Sequence, residues 1–153
     1  MAISVDPLIV MTDVAAFADC RNCLCQASRS AARGVTSVFD RHLRPHGLRI
    51  TQFTILANLI LRGATPVTAL AEALGADRTT LTRNLTLLMH NGWIETHVDE
   101  NDARTHLVSA TAKGRAVAQD ALPAWRKAQN AVAAALGGAD VAALRRLANA
   151  TLT

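Results

Sequence analysis

The 153-residue chain has no tyrosine, and its only phenylalanine and tryptophan side chains are Phe17, Phe39, Phe53, Trp93 and Trp125. Proline (four) and glycine (eight) are also scarce, while alanine is abundant. That balance predicts a mostly helical protein. No apolar run is long enough to span a bilayer, which excludes a membrane helix and a membrane partner of that kind. Residues 1–19 lack the basic start and small-residue cleavage site of a secretion signal, so a cytoplasmic location is expected. The three cysteines fall at Cys20, Cys23 and Cys25. An odd number of thiols so close together argues against a structural disulfide framework. The chain has no G-x-S-x-G, no phosphate loop and no H-E-x-x-H, and no local signature pairs a cysteine with a histidine. Enzyme chemistry is therefore not expected.

Lysine is nearly missing too. Fourteen of the sixteen cations are Arg, and the net charge is +4. Arg can fork onto phosphates and guanine edges, where Lys acts as a point charge. The positive balance suits an anionic partner, although many basic proteins bind none.

Half the residues are hydrophobic, enough for a sizeable core in one domain with helical extensions. Residues 1–14 show no clear period and read as an extension. From Phe17 to Leu43 the pattern is helical, with Leu24, Ala31, Val35, Val38, Phe39 and Leu43 on one stripe. Pro45 and Gly47 end it. Thr51 is expected to cap the next helix, and Thr68 a short one over Ala69–Leu74 that ends at Gly75. Asp77 caps a longer helix from Arg78 to about His90. Ile94–Val98 and Thr105–Ala110 are strand candidates around the polar tip D-E-N-D-A-R. Thr111 caps a stretch to about Leu136, with a kink or break expected at Pro123. Gly137 and Gly138 turn the chain into a last amphipathic helix over 139–151.

The helix that starts at Arg78 carries the chemistry. Leu81, Leu85 and Leu88 fall at i, i+4 and i+7 and form one apolar seam. A turn of 100° per residue puts Thr79, Thr82, Arg83 and Thr86 on the other face. A face of Thr and Arg without acid suits a major groove. Arg can donate to guanine O6 and N7, and Thr can bond phosphates or touch a thymine methyl. The Leu70/Leu74 helix and the tight Gly75–Asp77 turn complete a helix-turn-helix. In the hairpin, Ile94, Thr96 and Val98 alternate with Glu95 and His97, as in a half-buried strand. Asp99, Glu100 and Asp102 at the tip would repel phosphates. Arg104, held by neighbouring carboxylates, can be aimed into a minor groove; a surface salt bridge of little energetic weight is the plainer alternative.

These residues resemble the MarR-type transcriptional regulators over about Cys20 to Leu147. The resemblance rests on L-A-E-A-L-G-A-D-R-T-T-L-T-R-N-L at 70–85, N-G-W-I-E at 91–95, D-E-N-D-A-R at 99–104 and L-V-S-A-T-A-K-G-R at 107–115. R-P-H-G-L-R-I-T-Q-F-T-I-L at 44–56 fits as well. Asn101 departs from the pattern in the wing. The resemblance implies a homodimer with interlocked terminal helices and two winged-helix lobes on a pseudo-palindromic operator. By motif position, Arg78, Thr79, Thr80, Thr82 and Arg83 would read the major groove, and Arg104 would be the wing arginine. The small apolar surface of Ala131, Val132, Ala135, Leu136, Val141, Leu144 and Leu147 also asks for a partner.

Cys20, Cys23 and Cys25 leave three readings open. They can be small packing residues, redox-sensitive thiols, or soft donors for arsenite, antimonite, Cu(I) or zinc. On a regular helix Cys25 points away from the other two, so convergence needs an irregular turn or a second subunit. His42 and Trp125 can line an effector pocket, as the resemblance implies for relatives, or serve as a helix-end histidine and a packing ring.

The expected architecture is thus mostly α with a small sheet (α+β). It comprises an N-terminal extension and dimerisation helix over 1–50, a winged helix-turn-helix lobe over 51–110, and C-terminal dimerisation helices over 111–153. The expected function is sequence-specific regulation of transcription, as a dimeric repressor released by an effector. The alternatives are a small thiol-redox protein and a winged-helix protein-interaction module.

Overall fold

In the computed structural model, residues 16–100, 102 and 104–150 are described. The expected extension over residues 1–14, Asn101 and Ala103 of the hairpin tip, and the end of the last expected helix (residue 151) lie outside the described residues. A short 3-10 helix, Ala18–Asn22, precedes α1 (Leu24–Leu43). After a 3-10 turn at Arg44–His46 come α2 (Ile50–Arg62), β1 (Thr65–Pro66), α3 (Val67–Leu74) and α4 (Arg78–His90). The strands β2 (Ile94–Val98) and β3 (His106–Ala110) lead into α5 (Ala112–Leu136) and α6 (Gly138–Ala148). The chain divides into two units, Met1–Val35 and Thr36–Thr153.

The core of the larger unit is aliphatic. Leu43, Leu56, Leu59, Leu70, Leu81, Leu88 and Val108 are fully buried. They bring α1, α2, α3, α4 and β3 into one cluster, to which α5 adds Ala118 and Ala121. Two of the few rings pack on a third from α5: Trp125 stacks on Phe53 at 6.0 Å and meets Phe39 at 6.4 Å.

The caps divide into local and long-range cases. Asp77 accepts from the Thr80 N–H at 2.8 Å, and Thr111 Oγ1 accepts from the Gly114 N–H at 3.0 Å, both as the sequence predicts. Thr51 is not a cap: α2 starts two residues earlier than expected, with Arg49 at its N-cap. Its free donors are met from two directions. Gln52 Oε1 accepts the Arg49 N–H, and Asp40 Oδ1, from α1, accepts the Ile50 N–H. Thr68 lies inside α3, whose N-cap is Pro66.

The sheet has the order β1-β3-β2 and is antiparallel throughout. The two-residue β1 was not expected. Pro66 is tolerated there because an edge strand has one side without ladder partners. In β2 only Ile94 is buried; Thr96 and Val98 are exposed, against the half-buried alternation expected. The inward burial lies on β3, at Val108 and Ala110. Pro123 does not break α5, which runs continuously for 25 residues. A proline removes the bond to the carbonyl four residues back. Here that residue is Gln119, which like Pro123 is exposed, so water can serve the carbonyl.

Candidate nucleic-acid interface

The α4 seam and face separate as its spacing predicts. Leu81, Leu85 and Leu88 are buried, and Arg78, Thr79, Thr80, Thr82, Arg83 and Thr86 are exposed. The left-handed Gly75 (φ 56°) ends α3 by donating its N–H to Glu72 O, and the chain re-enters a helix after only two more residues. A residue with a Cβ would be strained at that angle. Asp77 then fixes the start of α4. Its carboxyl is held below the ordinary carboxylate range by the Thr80 hydroxyl and then by the Thr80 N–H. The carboxylate therefore persists at the positive helix end.

Asn84 ties α4 to α2, a role its sequence position did not reveal. Its Nδ2 donates to Thr80 O at 2.9 Å, and its Oδ1 accepts from the Thr51 hydroxyl at 3.3 Å. An asparagine in mid-helix is normally read as a weak helix former; only the proximity of Thr51 explains it.

The wing is shaped by the acid that looked unsuited to DNA. Asp102 accepts the Arg104 N–H at 3.0 Å and the Thr105 hydroxyl at 2.9 Å. Those two bonds, in that order, lower its carboxyl below the ordinary range. The Asp99 N–H donates to Thr105 O, and the Thr105 N–H to Asp102 O, both at 2.9 Å. Asp102 thus holds the backbone of Arg104 in a tight turn, and the Arg104 residue is exposed.

Cys20 lies in the 3-10 helix, Cys23 in the extended residue that follows it, and Cys25 in the first turn of α1. All three are exposed free thiols. The regular helix expected from Phe17 is therefore replaced by an irregular start. Even so, among the described residues no group of three His, Cys, Asp or Glu is placed to hold a metal ion. His42 Nδ1 pairs with Val38 O at 2.9 Å, and Trp125 is accounted for by its ring contacts. A cavity of about 360 Å³ lies nearby but is lined by Asp40, Arg44, Gly47, Leu48, Arg49 and Gln52, with neither His42 nor Trp125 among them. Among the described residues no helix is long and apolar enough to cross a membrane.

A helix-turn-helix whose second helix shows a basic, acid-free face, followed by a hairpin with an exposed arginine, defines a winged helix-turn-helix protein. The model of the MarR family matches residues 48–106. The Multiple antibiotic resistance protein MarR of Salmonella typhimurium is 33% identical over 82 residues, which are 54% of this chain and 57% of that protein. The chain thus spans little more than half the length of that curated relative. The structure of the M. tuberculosis transcriptional regulator MosR in complex with DNA is 40% identical, with a TM-score of 0.71 over 82% of this chain and 96% of that one. A probable transcriptional regulator from Pseudomonas aeruginosa is 27% identical, with a TM-score of 0.75 over 83% of this chain and 95% of that one. The chain belongs to the MarR family.

Proposed function

We propose that the protein is a dimeric, operator-binding regulator of transcription that inserts α4 into a major groove and the wing into the adjacent minor groove. The observation that carries this is the division of α4 into a buried leucine seam and an exposed face of Arg78, Thr79, Thr82, Arg83 and Thr86. Arg78 and Arg83 are the donors to guanine edges or phosphate, and Arg104 reaches the minor groove from the turn held by Asp102. The MosR relative solved with DNA supports the reading. A homodimer is proposed from the terminal helices. Leu144 and Leu147 are 47% and 59% exposed, and Phe17 and Leu24 are 66% and 85% exposed. Covering such side chains with a second copy removes apolar surface from water. A twofold axis would set the two α4 helices roughly 34–36 Å apart, one turn of duplex.

Arg83→Ala is expected to weaken operator binding by about 1–3 kcal/mol and to relax preference at one base position. Arg104→Ala is expected to weaken binding with less change in base preference. Fluorescence anisotropy on an operator chosen from a random DNA pool measures both. Parent-like affinity in the two variants would sink the docking.

Thiol chemistry is the proposed release signal. It is favoured by three exposed thiols within six residues that lead into α1, the helix that carries Phe39 and Leu43 into the core. Peroxide or arsenite is expected to lower operator affinity of the parent, and Cys→Ser at 20, 23 and 25 to abolish the response. An equal response in parent and triple variant would refute it.

A further inference from the structure

The threonines of α4 differ in what their hydroxyls still have to offer. Thr82 Oγ1 lies 2.7 Å from Arg78 O, and Thr86 Oγ1 lies 3.0 Å from Thr82 O. A carbonyl oxygen can only accept, so in each pair the hydroxyl donates. A hydroxyl has one proton and two acceptor lone pairs. With the proton directed to the preceding turn, Thr82 and Thr86 can offer an incoming ligand only lone pairs and a methyl group. Both residues are exposed, on the face opposite the leucine seam. The back-bond is local and needs no further ordering of the chain, so it is the arrangement an incoming ligand meets.

This polarity decides between two kinds of DNA contact. A phosphate oxygen also carries only lone pairs, so it cannot bond such a hydroxyl while the back-bond stands. A base amino group can. In the major groove the amino donors are adenine N6 and cytosine N4, whereas guanine and thymine present acceptors there. Thr82 and Thr86 are one helical turn apart, about 6 Å along the axis, and so face different base pairs. Arg83 stands between them in sequence and supplies the opposite polarity, donors that seek guanine O6 and N7.

We propose that Thr82 and Thr86 are specificity-determining acceptors that select the exocyclic amino groups of adenine or cytosine, and are not phosphate anchors. The proposal rests on the DNA-reading function given above and adds to it a rule for the operator. Beneath Thr82 and Thr86 the operator carries an adenine or a cytosine on the strand each hydroxyl faces.

The test uses the full-length protein and an operator selected from a random pool. Each adenine is replaced in turn by deoxynebularine and each cytosine by the 2-pyrimidinone deoxynucleoside, which delete the amino group alone. Affinities are measured for the parent, Thr82→Val, Thr86→Val and Thr82→Ser. One deletion is expected to weaken the parent about three- to tenfold and to have no further effect in Thr82→Val. A second is expected to couple in the same way to Thr86→Val. Thr82→Ser, which keeps the hydroxyl, retains the sensitivity, while valine keeps the shape and the fold. The proposal is overturned if no amino deletion couples to either threonine, or if the coupling appears with methylphosphonate linkages instead. Arg83→Ala is measured alongside. Base discrimination by Arg83 without threonine coupling defeats only the rule for Thr82 and Thr86. Absence of salt-sensitive DNA affinity defeats the DNA reading itself, and this rule with it.

Discussion

Gly114→Ala is expected to destabilise the protein by about 3 kcal/mol, although alanine is the better helix former. On propensity alone the change would stabilise α5 by about 1 kcal/mol. Packing reverses the sign. A Cβ at position 114 would fall 1.9 Å from the Trp93 carbonyl oxygen and 2.8 Å from its carbon. Both are backbone atoms, so no side-chain rotation relieves the clash. The Trp93 oxygen cannot retreat freely either, because it accepts the Thr111 N–H at 3.0 Å. The same junction is tied by the Thr111 hydroxyl to Gly92 O at 2.7 Å and by Lys113 Nζ to Asn91 O at 2.9 Å. The first turn of α5 is thus stitched to the end of α4 and the start of β2, with glycine as the only residue that fits between. Urea unfolding followed by circular dichroism would measure the loss. A variant as stable as the parent would show that α5 does not dock in this way.

Leu88→Ala is the second large effect, about 2–5 kcal/mol of stability lost. Leu88 is 0% exposed and closes the C-terminal end of the α4 seam, with Leu81 and Leu85 above it. Alanine would remove three carbons from a buried cluster that also holds Leu56 of α2, Leu70 of α3 and Val108 of β3, and rigid neighbours collapse only partly into such a gap. The effect on function follows from the seam. If α4 enters a groove as proposed, looser seating of the seam would weaken operator binding even at temperatures where the variant is folded. Leu87→Ala is the comparison. Leu87 is one residue away but 52% exposed, and surface changes of that kind stay small. Thermal melts of the pair would test the assignment, and equal melting temperatures would contradict the seam.

What could be read from the sequence was what is settled within one or two turns of chain. The spacing of Leu81, Leu85 and Leu88 fixed which face of α4 is buried. Asp77 and Thr111 announced their helices because an oxygen-bearing side chain can reach an N–H two or three residues on. The start of α2 was misread at Thr51 because its donors are met by Gln52 and by Asp40, the latter ten residues from Ile50. The strand at Thr65–Pro66 exists only because β3 lies beside it, and two residues leave no periodicity to detect. Thr96 and Val98 alternate like a buried strand face, yet no element of the larger unit covers them. The constraint on Gly114 depends on a carbonyl 21 residues away. Asp102 was judged by its charge, when its geometry as a turn-forming acceptor determines the shape of the wing.

The uninterrupted α5 has a mechanical consequence. Twenty-five residues of helix form a shaft of roughly 37 Å. One end is bolted through Thr111, Lys113 and Gly114 to the turn between α4 and β2. The other reaches the exposed aliphatic side chains next to α6. A tilt of about 5° at that far end displaces the bolted end by roughly 3 Å over this length. That is comparable to the reach of a hydrogen bond to a base edge. If α4 enters the groove as proposed above, a lever of this ratio would convert a slight rearrangement among terminal helices into loss of register there.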